Sequence, residues 1–205
     1  MVRTSPLGKS DFPFVVKVGG SLHKHLPELV PVLSAAPRPL LIVPGGGVFA
    51  DAVRESHPDA DSAHWMAVAA MDQFGWLIAS HGLPVISHPE APDSTSVLLP
   101  YCCLRHYDPL SHSWDVTSDS IAAWVAGYLG LNLVLLKSVD GIFCEGKIQE
   151  TVTSPVRTDV VDPFFLPFVL EKKVSSAIIN GSQPDRVRKF LSGEDVPGTR
   201  IGTTF

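Results

Sequence analysis

The sequence predicts an α/β protein, a three-layer αβα sandwich with an open, mainly parallel sheet. Short runs that are apolar throughout alternate with segments of helical periodicity. Strands that are buried on both faces are typical of parallel sheets covered by helices on each side. The chain has 205 residues, 45% of them hydrophobic, which suits one domain with a sizeable core. We therefore expect a single domain over 1–205, with 1–11 as a flexible N-terminal segment.

The first half of the chain supplies two buried strands that run into glycines. Residues 13–18 form the first predicted strand, and leucines at helical spacing follow it. Residues 39–44 (PLLIVP) form the second and lead straight into a glycine triplet. A long helix is expected over 61–80, with Ser62 as its N-cap. PVISH and SVLLPYC then indicate two shorter strands.

The second half continues the same alternation. The stretch SDSIAAWVAGYLG, which follows Thr117, predicts an alanine-rich helix that ends at a glycine. NLVLLKS is another continuous apolar strand, and a loop-rich piece follows it. SSAIINGSQPDRVRKFLSG indicates a strand, a glycine turn and a helix with Pro184 in its first turn.

Charge and hydropathy exclude some partners. The net charge of -5 comes from acidic and basic residues that are mixed along the chain. There is no basic block of the kind that binds the phosphate backbone of a nucleic acid, so nucleic acid is not an expected partner. No run approaches the ~20 apolar residues that cross a bilayer, and the N-terminus lacks the apolar core of a signal peptide. We expect no membrane partner and a cytoplasmic location.

Glycines at the ends of the strands indicate where the chemistry lies. Ligands of open parallel sheets bind beyond the carboxyl ends of the strands. The first strand ends in Gly19 and Gly20, and the second ends in Gly45, Gly46 and Gly47. Glycines let a bulky anion approach backbone N–H groups, so both clusters can hold phosphate, although two tight turns are the alternative. The first strand also contains Lys17, and a buried lysine needs an anionic partner.

Five blocks of sequence together carry a resemblance to a known family. KVGGS, VPGGG, TSDSIAAWVA, LLKSVDGI and IINGSQPDRVRKFLSGEDVPGT follow one another in the order found in the amino acid kinase family, which the chain resembles over nearly its whole length. The resemblance implies the amino acid kinase (carbamate kinase-like) fold. It also implies phosphoryl transfer that uses ATP and Mg²⁺, and a homodimer or higher homo-oligomer.

The resemblance assigns roles to individual residues. Lys17 is expected to contact the transferred phosphate. Asp119 is expected to orient the cations instead of acting as a base. The alternative for Asp119 is a carboxylate that only complements the helix dipole at the N-terminus of its helix. The expected nucleotide-binding residues are Gly19, Gly20, Ser21, Ser138, Asp140, Gly141, Asn180 and Gly181. The expected acceptor-binding residues are Gly45, Gly46, Gly47, Arg54 and Thr117. No residue is assigned as a metal ligand.

The chain departs from the family pattern at one functional position. Many relatives have a second lysine in a G-G-M-x-x-K block, which this chain lacks. Lys137, at the end of NLVLLK, is the expected replacement, and the alternative is that it only contacts solvent or an acid. Lys172 and Lys173 are weaker candidates because they fit a solvated helix end.

The acceptor is expected to be a small phosphate monoester, which the reaction converts to a diphosphate. Four stretches, GGSLHKH, GGGVFADAVR, AHWMAVAAMDQFGW and WDVTSDSIA, carry a finer resemblance within the family. They resemble most the small kinases of methanofuran biosynthesis, whose acceptor is aminomethylfuranmethyl phosphate. An acceptor with a furan ring and an amine needs an aromatic wall and a carboxylate, for which Trp65, Phe74, Trp76, Trp114 and Asp72 are available. Isopentenyl phosphate or UMP as acceptor, and a non-catalytic nucleotide- or oxyanion-binding module, remain alternatives.

Overall fold

The central feature is one sheet of eight strands within residues 12–202, which are those that the computed structural model describes. The predicted flexible segment 1–11 lies outside the described residues. In chain order the strands are β1 (Phe14–Val18), β2 (Leu40–Pro44), β3 (Val85–Ile86), β4 (Ser96–Leu98), β5 (Asn132–Lys137), β8 (Thr151–Val152), β9 (Ser176–Asn180) and β10 (Thr199–Ile201). A separate hairpin consists of β6 (Phe143–Cys144) and β7 (Lys147–Ile148).

The sheet order is β3-β4-β2-β1-β5-β9-β10-β8, and its pairs are parallel except β9 with β10. The predicted mainly parallel sheet is therefore confirmed. β1 lies between β2 and β5, and the carboxyl ends of these strands open at one edge. Both glycine clusters and Lys137 thus lie at the same edge.

Seven α-helices cover the sheet within the described residues. They are α1 (Leu26–Ser34), α2 (Gly47–Glu55), α3 (Ala60–Ala79), α4 (Tyr101–Tyr107), α5 (Ser118–Leu129), α6 (Phe165–Glu171) and α7 (Pro184–Leu191), and a 3₁₀ helix (Gly20–His25) precedes α1. None of the helices in residues 12–202 has the length and apolar character needed to span a membrane.

Two apolar clusters, one on each face of the sheet, explain the three layers. Val15 of β1 faces the cluster that contains α5 and α6, whereas its neighbour Val16 faces the cluster that contains α1 and α7. Side chains of a strand alternate between the two faces, so a strand that is buried throughout needs helices on both sides. All five residues of β1 are buried, as the apolar run predicted.

Two local expectations were wrong, and two features were not expected. Asp59, not Ser62, caps α3: its Oδ1 accepts the Ser62 N–H at 3.0 Å. The end of SVLLPYC is not a strand, because α4 begins at Tyr101, where the Asp72 carboxylate accepts the Tyr101 N–H. The loop-rich piece holds α6 and short strands, and β10 pairs antiparallel with β9.

Candidate active site

The two lysines of the predicted site lie on one face of neighbouring strands. Lys17 is two residues beyond Val15, so its side chain leaves β1 on the face that α5 covers. Lys137 ends β5 and shares the face of Leu135. Strand alternation thus directs both ammonium groups toward the start of α5.

A single carboxylate joins these two lysines. Lys17 Nζ lies 2.7 Å from Asp119 Oδ1, and Lys137 Nζ donates to Asp119 Oδ2 at 2.5 Å. Lys17 and Asp119 are only 4% and 3% exposed, so the buried lysine has the anionic partner that its burial requires. Lys137 does contact an acid, as one alternative expected, but that acid is Asp119 itself.

The charges of this cluster shift the pKa values of its members. Burial raises the pKa of Asp119, but the positive charges of Lys17 and Lys137 outweigh it and lower the pKa overall. Burial and the neighbouring charge of Lys17 lower the pKa of Lys137 to about 8, although Asp119 opposes that shift. Asp119 is therefore an ionised carboxylate with both oxygens engaged, and Lys137 can gain or lose its proton near neutral pH.

Asp162 fixes the start of α5, and with it Asp119. Its Oδ2 accepts hydrogen bonds from Thr117 N, Thr117 Oγ1 and Ser120 N at 2.8 to 3.1 Å. Its Oδ1 accepts from Ser120 Oγ at 2.5 Å and from Phe165 N at 2.9 Å. One buried carboxylate thus holds the first turns of α5 and α6 together, which sets the position of the helix that carries Asp119.

The two glycine loops touch each other through their backbones. A Cβ atom on Gly20 would lie 2.2 Å from Gly47 Cα, so only glycine fits this crossing. Gly47 also begins α2 with φ of +54°, a conformation that side chains disfavour. The alternative of tight turns is therefore partly right, because the glycines serve packing. The first N–H groups of α2, as at any helix start, have no partners inside the helix.

A cavity of about 480 Å³ opens beside the lysine cluster. It brings together nine of the predicted site residues: Lys17, Gly20, Ser21, Gly46, Gly47, Arg54, Thr117, Asp119 and Lys137. Its far wall comes from α2, α3 and the segment before α5. There the Arg54 guanidinium lies 4.6 Å from the centroid of the Trp114 ring and contacts Asp51 at 3.0 Å.

The remaining predicted site residues lie outside this cavity. Asn180 Nδ2 donates to Asp140 Oδ1 at 2.8 Å, and Arg186 of α7 donates to the same oxygen. These two donors, led by Asn180, lower the pKa of Asp140 against a smaller desolvation effect. The hydroxyl oxygen of Ser138, which follows β5, lies 3.4 Å from that of Ser21, which does line the cavity.

Four predicted glycines are engaged in packing or in the backbone of the sheet. The N–H groups of Gly19 and Gly45 donate to Leu136 O and Val18 O at 3.1 and 2.8 Å. A Cβ on Gly181 would lie 2.5 Å from Leu22 Cδ1, and a Cβ on Gly141 would lie 2.5 Å from Thr199 Oγ1. Close neighbours within the protein require glycine at positions 45, 141 and 181.

Sequence reasoning missed three residues of this region. Asp162 precedes Pro163, and an Asp-Pro pair at a helix start is a signal that could have indicated a capping role. Arg186 and His64 carried no such signal, since their neighbours in space come from distant parts of the chain. Of the side chains suggested for a furan and an amine, Trp114 lines the cavity, whereas Phe74 is in the core and Trp76 is exposed.

Comparisons with known proteins point to small-molecule kinases. No protein-family model matches the chain. The chain is 28% identical over 211 residues to (5-(aminomethyl)furan-3-yl)methyl phosphate kinase of Methanocaldococcus jannaschii, covering 91% of this chain and 96% of that protein. Among solved structures, uridylate kinase of Archaeoglobus fulgidus matches with a TM-score of 0.69 at 17% identity, covering 92% of this chain and 100% of that one. An isopentenyl phosphate kinase matches with a TM-score of 0.61 at 16% identity over the same shares.

These similarities confirm the predicted resemblance to the amino acid kinase family and the predicted fold. Each of the similar proteins is named a kinase, which also confirms the prediction of a phosphotransferase. The roles of the individual site residues stay predictions. In the structure these residues form two neighbouring groups, one in the cavity and one around Asp140 and Asn180.

Proposed function

We propose that this chain, with the fold and the sequence resemblance of the amino acid kinase family, transfers the γ-phosphoryl group of ATP to a phosphate monoester and forms a diphosphate. The observation that carries the proposal is the Lys17–Asp119–Lys137 cluster at the wall of the cavity. Two ammonium groups and one carboxylate leave a net positive charge there. Phosphoryl transfer requires such charge and in-line positioning more than covalent help from the protein.

The cluster favours an acceptor that is already an anion. Both oxygens of Asp119 contact lysines and its pKa is lowered, so Asp119 is a poor base for a hydroxyl group. The second pKa of a phosphate ester is about 6, so its oxygen needs no base at neutral pH. That oxygen forms a bond to the γ-phosphorus as the bond to the bridging oxygen of ATP breaks, and ADP leaves with the electron pair.

The residues outside the cavity would hold the nucleotide. Ser138, whose hydroxyl lies 3.4 Å from that of Ser21 in the cavity wall, and the Asp140–Asn180 pair lie at the carboxyl ends of β5 and β9. Mg²⁺, when bound with ATP, neutralises charge on the phosphate oxygens. Because Asp119 is committed to the lysines, the phosphates and water would supply most of the ligands of that ion.

We further propose aminomethylfuranmethyl phosphate as the acceptor. The similar protein of M. jannaschii is named for this substrate. The cavity wall offers matching chemistry: Arg54 and His23 for a phosphate, Trp114 for a flat ring and Asp51 for an ammonium group. Isopentenyl phosphate and UMP, the substrates in the names of two proteins with this fold, are the competing acceptors.

An assay of the ADP formed from ATP in the presence of Mg²⁺ tests both the proposed kinase activity and the proposed acceptor. The purified protein is incubated with each of the three acceptors, and the products are identified by mass spectrometry. We expect the highest kcat/KM with aminomethylfuranmethyl phosphate and a diphosphate product. A preference for another phosphate monoester would contradict the proposed acceptor but still support the proposed kinase activity. Nucleotide binding without ADP formation from any acceptor would indicate the binding module instead.

We also propose that the chain forms a homodimer. Helix α3 exposes Met66 and Leu77 on one strip, with Trp76 beside it, and apolar surface of this kind is buried in many symmetric dimers. Light scattering on the purified protein should give twice the mass of the chain, and Trp76→Glu should shift it toward the mass of one chain. A monomer at all concentrations would contradict this proposal.

A further inference from the structure

Two histidines and a carboxylate meet at the edge of the cavity, away from the lysine cluster. The rings of His64 on α3 and His112 are stacked, with centroids 4.1 Å apart and planes 16° from parallel. Asp108, the C-cap of α4, lies at one edge of the His112 ring. One ligand atom from each of His64, Asp108 and His112 lies within 4.8 Å of the other two.

His112 has a carboxylate at each ring nitrogen. Its Nδ1 lies 2.7 Å from Asp61 Oδ1, and its Nε2 lies 2.9 Å from Asp108 Oδ1. Histidines that bind metals usually donate their second ring N–H to a carboxylate, which orients the ring and increases its basicity. Asp61 is in that position. The 2.9 Å between Nε2 and Asp108 Oδ1 fits a hydrogen bond, which a metal ion bound by both atoms would replace.

The surroundings of His64 favour the metal ion. His64 is half-buried, and its contacts within the described residues are to the rings of Trp65 and His112 instead of to a hydrogen-bonding group. A proton on His112 would satisfy Asp61 and Asp108 but would give His64 no polar partner among the described residues. A metal ion satisfies both histidines.

We propose that His64, Asp108 and His112 bind one divalent transition-metal ion, with Asp61 as the outer carboxylate that orients His112. Two imidazoles and one carboxylate, with a fourth position open, are a ligand set typical of Zn²⁺. Tetrahedral ligands of Zn²⁺ lie about 3.4 Å apart, given bonds of about 2.0–2.1 Å. His112 Nε2 and Asp108 Oδ1, which lie 2.9 Å apart, must therefore separate slightly to admit the ion, which rotation of the exposed Asp108 side chain allows.

The ion would connect two parts of the cavity wall. His64 lines the cavity from α3, and Ser113 and Trp114 line it from the segment that directly follows His112. A shared ion fixes that segment against α3. The open position of the ion would also lie close to the acceptor end of the cavity.

The test is direct metal binding by protein without a polyhistidine tag, after treatment with a chelator. Titration with Co²⁺ should reveal one site per chain, with the strong visible absorption of tetrahedral Co²⁺, and Zn²⁺ should displace it. His64→Ala and His112→Ala should abolish the absorption. Asp61→Asn should weaken binding about 10- to 100-fold. The control His81→Ala, an exposed histidine just beyond α3, should bind as the unaltered chain does.

A second readout protects the test against variants that fold poorly. Zn²⁺ should raise the Tm of the unaltered chain and of His81→Ala, because a ligand that binds the native state stabilises it. It should leave the Tm of His64→Ala unchanged. The proposal is overturned if Co²⁺ binding is not saturable, or if both histidine variants bind as tightly as the unaltered chain. It is also overturned if Zn²⁺ leaves the NMR signals of the His64 and His112 rings unchanged. None of these readouts depends on kinase activity.

Discussion

Lys17 illustrates how burial selects a partner at the scale of one residue. A lysine inside an apolar strand loses its hydration, and the cost is offset only by a hydrogen-bonded anion close by. Asp119 supplies that anion at 2.7 Å, and Lys137 shares it. The shared carboxylate holds two cations close together without neutralising both, which leaves charge for an anionic ligand.

Replacing Lys17 should slow the reaction without unfolding the protein. Lys17→Met keeps the length of the side chain and removes the charge, so we expect kcat to fall about 10²- to 10³-fold, as when one preorganised donor at a transition state is lost. Steady-state ADP release measures the effect, and circular dichroism checks the fold. Lys24→Met, at an exposed lysine of the 3₁₀ helix, is the control and should retain normal turnover. Turnover near normal in Lys17→Met would reject the role.

Lys137 should impose a pH dependence on nucleotide use. Its pKa is about 8, and only the protonated form attracts phosphate, so kcat/KM for ATP should decline as pH rises through about 8. Lys137→Arg keeps the charge at all these pH values because the guanidinium does not deprotonate. The decline should therefore disappear in Lys137→Arg and persist in the control Lys172→Arg. The same decline in both variants would assign it to another group.

The carboxylate of Asp162 is the main constraint at the scale of the element. It accepts five hydrogen bonds from the starts of α5 and α6, and a helix start that loses its cap leaves buried N–H groups without partners. We expect Asp162→Ala to lower the free energy of unfolding by about 2 kcal/mol. For a chain of this size that corresponds to a Tm lower by roughly 4–8 °C.

Asp159→Ala, in the same connection but exposed, is the matched control and should keep the normal Tm. Thermal unfolding followed by circular dichroism gives both values. Because α5 carries Asp119, Asp162→Ala should also lower kcat. If stability and kcat were both unchanged, Asp162 would not be what positions α5.

Elements with strong periodicity could be predicted from sequence, and those held by distant contacts could not. The buried strands β1, β2, β5 and β9 follow from apolar runs alone. β10 has three residues and exists because it pairs with β9 and β8, which no local pattern reveals. At the start of α3, Asp59 and Ser62 are both good capping residues, and only the structure shows that Asp59 is the cap.

At the scale of the whole molecule, the parallel sheet turns local motifs into one site. Gly20 and Gly47 come from loops 27 positions apart but touch because β1 and β2 are adjacent and parallel. The sequence predicted that the glycines and Lys17 would meet there. It could not predict that Asp140 and Asn180 would form a separate group with Arg186, because that contact depends on how α7 packs against the sheet.

The most direct test of the central claim is a crystal structure with Mg²⁺ and a non-hydrolysable ATP analogue. The claim is that Lys17 and Lys137, which both contact Asp119, bind the phosphate that is transferred. We predict that an oxygen of the terminal phosphate lies about 3 Å from Lys17 Nζ, with the cavity next to it open for the acceptor. A triphosphate bound elsewhere, with the Lys17–Asp119 pair out of its reach, would contradict it.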